Sequence, residues 1–131
     1  MTITRVALVA LGLLVTAVGC RTAPVRNVGR APFDPAVASV RMDEIQSAIW
    51  AAGRREGWNV RTMATGELRA EKSLRTHRAV IAITYDPQGY SIRLLEAEDL
   101  LYDGRMIHKA YNEWIEALER SIRNELRFRY G

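Results

Sequence analysis

The spacing of apolar residues predicts two helices that flank the middle of the chain. Apolar positions three and four residues apart predict a first helix over residues 40–56, on the face Ile45, Ala48, Ile49 and Ala52. Ser39 is its expected N-cap, and Gly57 fits the C′ position that follows its last turn. A longer apolar stripe predicts a second helix over residues 105–128, formed by Ile107, Tyr111, Trp114, Ile115, Leu118, Ile122 and Leu126.

Between these helices the apolar pattern changes to a period of two, which is typical of strands. Four alternating segments follow one another with short turns between them: 58–64, 67–74, 77–85 and 90–95. The turn Asp86-Pro87-Gln88-Gly89 is the clearest of these signals, because proline presets φ and glycine accepts the left-handed position. An acidic connection over residues 96–104 leads to the second helix.

The order α-β-β-β-β-α predicts an α+β fold. We expect a two-layer sandwich, helix-grip-like, in which a four-stranded antiparallel meander packs its one apolar face against two helices. A chain of 131 residues allows one domain, and the periodic pattern assigns that domain to residues 39–131.

The first residues have the pattern of an export signal. Arg5 precedes an uncharged apolar run over residues 6–18, which is too short to span a bilayer. Ala17-Val18-Gly19-Cys20 resembles the bacterial lipobox, with alanine where leucine is usual. This resemblance implies a signal peptide over residues 1–19, cleaved between Gly19 and Cys20. An ordinary cleaved signal or a short membrane anchor is the alternative.

Cys20 is the expected lipidation site, because its thiol can form a thioether to diacylglycerol and acyl chains such as palmitate then hold the protein at the membrane. Residues 20–38 contain three prolines and no periodicity, so we expect a flexible tether. Residue 21 is Arg rather than Asp. By resemblance to Gram-negative sorting, this implies the outer membrane, facing the periplasm.

Composition narrows the function classes. The net charge is +4, but the arginines are scattered and mixed with acidic residues, so we expect no nucleic-acid partner. A single cysteine excludes an intramolecular disulfide, so the fold must be held together by packing.

Packing residues at fixed spacings run through nearly the whole mature chain. They are Gly57-Trp58, His77-x-Ala79-x-Ile81-x-Ile83-x-Tyr85, Tyr90-x-Ile92, Leu101-Tyr102 and Ile107-His108-x-x-Tyr111-Asn112-x-Trp114-Ile115. In these motifs the chain resembles a family of small uncharacterised proteobacterial lipoproteins of the periplasm and outer membrane. The resemblance implies an address and a fold, and no reaction.

Candidate chemistry is sparse. His77 and His108 are the two histidines, and the starts of the third strand and second helix could bring them together at one end of the sandwich. A metal site would need a third ligand, and zinc favours closely spaced Cys/His sets that the sequence lacks. We therefore expect no catalytic residues, no metal and no cofactor, with local hydrogen bonding for both histidines.

A binding groove is a further hypothesis. Between the second helix and the sheet edge it would be lined by Tyr102, His108, Tyr111, Asn112 and Trp114. The alternative for the same residues is core and rim packing, in which the rings are buried and the polar tips stay wet.

These features together predict a non-enzymatic lipoprotein, held at the membrane through Cys20. It would act as a binding or scaffold module with an envelope protein as its possible partner. The first alternative is a small ligand-binding lipoprotein that holds a lipid, glycan fragment or peptide in that groove. An enzyme is the remaining alternative, and it would need perturbed side chains that converge in one cleft.

Overall fold

The structure is a computed structural model that describes residues 21–131. Its elements in chain order are β1 (Thr22–Pro24), β2 (Val28–Pro32), a 3-10 helix (Pro35–Val37), α1 (Met42–Arg55), β3 (Asn59–Ala64), β4 (Glu67–Leu74), β5 (His77–Asp86), β6 (Gly89–Glu98), β7 (Met106–His108) and α2 (Lys109–Tyr130). The expected signal peptide and Cys20 lie outside the described residues.

The sequence correctly predicts an α+β fold with two helices and an antiparallel sheet. The main sheet has five strands in the order β2-β6-β5-β4-β3, and β1 and β7 form a small second sheet. The predicted meander is β3 to β6. Its last turn, between β5 and β6, is fixed by Asp86, whose carboxylate accepts hydrogen bonds from the amides of Gln88 at 2.7 Å and Gly89 at 3.0 Å.

The prediction of a flexible tether over residues 20–38 is wrong for most of the part that the structure describes. β1 pairs with β7, and β2 adds a fifth strand along the free edge of β6. These strands are short, and prolines end both of them. Their pairing depends on the edges that the neighbouring strands offer, so no apolar period of their own is needed.

Two side chains on one flank of α2, Asn112 and Glu119, hold this amino-terminal segment in place. The side chain of Asn112 donates to the carbonyl of Pro24 at 2.9 Å and accepts from the amide of Arg26 at 2.9 Å. The Arg26 guanidinium then reaches the buried carboxylate of Glu119 at 2.7 Å. Residues far apart in sequence therefore hold the start of the described chain in place.

Both helices start later than the pattern predicts. The N-cap of α1 is Arg41 and not Ser39, and the Glu44 side chain accepts from the Arg41 amide at 3.1 Å. α2 begins at Lys109 because the preceding residues form β7, and the ring of His108 caps it by accepting from the amide of Ala110 at 3.0 Å.

One hydrophobic core joins both helices to the inward face of the main sheet. Its fully buried large side chains are Ile45, Ile49, Leu68, Ile81, Ile83, Ile92, Leu100, Ile107, Tyr111, Ile115, Leu118 and Ile122. The second flank of α2 is tied to α1 through Glu125, whose carboxylate accepts from Arg55 at 2.8 Å and from Arg129 at 2.7 Å. Neither helix of residues 21–131 combines the length and hydropathy that crossing a bilayer requires.

Candidate functional site

A row of arginines crosses the face of the main sheet that points away from the helices. Arg61 on β3 pairs with Arg69 on β4, Arg69 pairs with Ala82 on β5, and Ala82 pairs with Arg93 on β6. Side chains at paired positions point to the same face. Because neighbouring strands lie about 4.8 Å apart, the row spans roughly 14 Å. We call Arg61, Arg69 and Arg93 the arginine row.

The three guanidinium groups lack acidic partners within the described chain. None of the ion pairs in residues 21–131 includes a member of the row. In addition, the Nε atom of Arg69 is buried without a hydrogen-bond partner. Like charges directly opposite each other on neighbouring strands are destabilising, so Arg61 and Arg69 together cost free energy unless an anion joins them.

Arg78 lies on the same face but, unlike the arginine row, it has acidic partners. Its guanidinium lies 2.6 Å from Glu71 and 3.2 Å from both Glu96 and Glu98. Hydrogen bonds to the Glu71 and Glu96 carboxylates raise the pKa of Arg78. The open face is therefore divided along its length into an acid-paired cluster around Arg78 and a basic band at the arginine row.

A shallow groove of about 470 Å³ lies beside the arginine row. Ala82 and Arg93 line it, together with the hydroxyl side chains of Thr84 and Ser91 and the strand β2. Ser91 also accepts a hydrogen bond from the Arg30 amide at 2.9 Å, which ties β2 to the groove. Small side chains on the floor and a guanidinium at the wall suit a carboxylate or phosphate, which arginine binds through paired hydrogen bonds.

The two histidines lie together, with ring centroids 5.2 Å apart. Both also have local hydrogen bonds: His108 caps α2, and Nδ1 of His77 contacts the backbone carbonyl of Asp99. Within residues 21–131, no group of three or more His, Cys, Asp and Glu side chains could hold a metal ion. The pair lies at the end of the sheet where β5 and α2 begin.

The five residues of the hypothesised groove do not line one common site. Tyr111 and Trp114 belong to the core, and Trp114 meets Trp58 edge to face at 6.3 Å between centroids. Asn112 is occupied by the amino-terminal segment, and His108 by its helix cap. Tyr102 lines an open groove of about 260 Å³, together with Pro24, Val25, Asn27, Arg93, Leu94, Gly104 and Arg105.

The period of two predicts an outward position for each arginine of the row, but it does not predict the row itself. The alternation gives the direction of a side chain, but three residues from three strands become neighbours only through the strand register. The expected lipidation site Cys20 and the cleavage residue Gly19 lie outside the described residues.

The comparisons with known proteins return nothing: no family model, no curated protein and no solved structure matches the chain. The resemblance to proteobacterial lipoproteins therefore stays a prediction based on the motifs quoted above.

Proposed function

We propose that the chain is an envelope lipoprotein, anchored in the outer membrane through Cys20 and facing the periplasm. Its domain acts as a non-enzymatic binding or scaffold module. The lipobox-like sequence supports the anchor, and the local hydrogen bonds of both histidines support a non-enzymatic role. We also infer a helix-grip-like, two-layer arrangement, which the single core shared by sheet and helices supports.

The arginine row is the observation that carries the proposal of a binding module. Three guanidinium groups on one open face, which have no carboxylate partners among residues 21–131, favour an acidic segment of an envelope protein as the partner. Such a segment would join the like charges of Arg61 and Arg69 and supply acceptors to their guanidinium groups.

Cell fractionation tests the anchor. The wild-type protein is expected to sediment with membranes, and Cys20→Ala is expected to leave it in the soluble periplasmic fraction. A control at a serine on α2, Ser121→Ala, keeps Cys20 and is expected to stay with the membranes. Sedimentation of the Cys20→Ala protein with membranes would contradict the anchor.

An oligoglutamate peptide serves as the probe for the arginine row. Titration with this peptide should shift the backbone amide signals of Ala82 and Arg93 in NMR spectra. Because a hydrogen bond to a charged group contributes about 1.5–3 kcal/mol, the double variant Arg69→Gln/Arg93→Gln should weaken binding about tenfold or more. The control Arg120→Gln/Arg127→Gln removes the same two charges from exposed positions of α2 and should leave the affinity within about twofold. If the control weakens peptide binding as much as the double variant does, the effect is one of net charge and the arginine row is not the binding site.

A second candidate function, a small ligand-binding lipoprotein, is favoured by one cavity. About 130 Å³ of space lies between the segment after β2 and the end of α2, and the lining is mostly apolar. Its walls are Pro32, Phe33, Asp34, Ala36, Val37, Arg123, Leu126, Arg127 and Gly131. The arginines suit the acidic head of a small amphipathic ligand. Leu126→Trp should fill the cavity and abolish binding of a short-chain fatty acid; unchanged binding would eliminate this site.

A further inference from the structure

The described chain begins at one end of the domain, where several elements meet. The amide of Lys109, the first residue of α2, donates to the carbonyl of Arg21 at 2.9 Å. The preceding His108 ring lies against His77. His77 begins β5 and pairs with Leu74, the last residue of β4. The start of the described chain, the start of α2 and the β4–β5 turn are therefore neighbours.

Two large apolar side chains are exposed at this end. Leu74 is 53% exposed and Leu101 is 56% exposed. Leu101 follows Leu100, whose carbonyl accepts from the His108 amide at 2.7 Å, so its backbone is fixed beside the start of α2. Burial of a leucine in the core would be favourable, yet the fold directs both of these outward.

The charged groups at this end differ between the two faces of the sheet. The carboxylates of Glu71, Glu96 and Glu98 surround Arg78 on the open face. Leu74 and His77 lie on the opposite, helix-side face, because side chains alternate along a strand. Asp99 accepts a hydrogen bond from Thr76. Basic residues accompany the two leucines: Arg21, Arg75 and Lys109.

We infer that the surface formed by Arg21, Leu74, Arg75, Leu101 and Lys109, the anchor-end surface, lies against a phospholipid bilayer. This inference rests on the proposed lipid anchor. Twenty residues precede Arg21, and the expected lipidated Cys20 is its covalent neighbour, so acyl chains would leave the fold at this surface. Exposed leucines flanked by basic side chains match the composition of segments that lie in the membrane interface.

The test uses full-length lipidated protein in vesicles of phosphatidylethanolamine and phosphatidylglycerol. Leu101→Cys provides the labelling position for an environment-sensitive fluorophore, because lipidation consumes the Cys20 thiol. Phe128→Cys is the matched control, since Phe128 is 88% exposed near the far end of α2. About 19 residues of helix separate it from Lys109, which corresponds to roughly 29 Å.

We expect the label at residue 101 to be at least about threefold better protected from an aqueous quencher than the label at residue 128, as for side chains buried about 5–10 Å into the interface. Leu74→Asp, added to the Leu101→Cys protein, should abolish this protection. Equal quenching at both positions in vesicle-bound protein overturns the membrane contact and leaves the anchor intact. Protection that persists in detergent and grows with protein concentration assigns the surface to a second copy. Failure of the wild-type protein to bind the vesicles contradicts the anchor itself.

Discussion

Replacement of Tyr111 by phenylalanine should stabilise the protein, although most substitutions in a core destabilise it. Tyr111 on α2 is fully buried, and its hydroxyl has no hydrogen-bond partner within the described chain. Burial also raises the pKa of this hydroxyl, so it stays neutral across the physiological range. The substitution removes only this polar oxygen and keeps the ring in its packing.

The expected gain follows from two opposing contributions to the free energy of unfolding. A buried hydroxyl without a partner costs about 1–3 kcal/mol, and Tyr111→Phe removes that cost. The void that the oxygen leaves is about 12 Å³, which at ~24 cal/mol per Å³ costs about 0.3 kcal/mol. The net gain is therefore about 1 kcal/mol, equivalent to a rise in Tm of about 4 °C for a domain of this size.

Urea denaturation followed by far-UV circular dichroism measures this difference. Tyr85→Phe is the matched control, because the Tyr85 hydroxyl donates to Oε1 of Gln46 at 2.9 Å. Loss of that hydrogen bond should lower the free energy of unfolding by about 1 kcal/mol. The two tyrosine-to-phenylalanine changes thus have opposite expected signs. If Tyr111→Phe destabilises as much as the control, its hydroxyl is satisfied and the reasoning fails.

Further predictions concern the packing of the helices. Gly53→Ala should destabilise by about 1 kcal/mol despite its better helix propensity, because the added Cβ would lie 2.7 Å from Cγ2 of Val60; in a Val60→Ala background the same change should cost less, which a double-mutant cycle in urea measures. Ile115→Ala should cost about 3 kcal/mol in the same assay, since Ile115 is fully buried. The hydrogen bond from Arg55 lowers the pKa of Glu125 below its ordinary value of 4.5, so its stabilising contribution is complete above that value and lost as the pH falls through the lowered pKa. Glu125→Gln should therefore flatten the acid side of the stability profile, whereas an unchanged acid slope would exclude this pair as a cause.

The sequence predicts the meander because its strands carry their own information. On β5, for example, Ile81 and Ile83 alternate with Ala82 and Thr84. The Asp86–Gly89 turn joins β5 and β6 in one register. The two short strands near the start lack such a signal. Val28–Pro32 forms a strand because it pairs with the free edge of β6, and that edge exists only in the assembled sheet.

The arginine row is a second feature that the periodicity of the sequence does not predict. Arg61, Arg69 and Arg93 are separated along the chain by 8 and 24 residues, so no local motif joins them. The register of three hairpins aligns them, and each hairpin turn sets one part of that register. Turns at residues 75–76 and 87–88 are enough to align Arg69 with Ala82 and Ala82 with Arg93. The pairing of Arg61 with Arg69 also needs the shift in register between Thr62 and Ala64, which the turn at residues 65–66 does not predict.

The segment expected to be a tether is held against the domain, and this fixes how the anchor-end surface and the arginine row are placed relative to the lipid anchor. The hydrogen bond of Asn112 and the ion pair of Glu119 hold the segment that follows Arg21 against the domain. Lipid on Cys20 would therefore hold the domain in one orientation. Along β5, five residues separate the anchor end from the level of the arginine row at Ala82, or roughly 17 Å. That distance exceeds the Debye length of about 8 Å at physiological salt, so anionic head groups would attract the row only weakly. With the anchor-end surface on the bilayer, as proposed, the row would be positioned to bind an acidic partner in the periplasm and not the lipid beneath it.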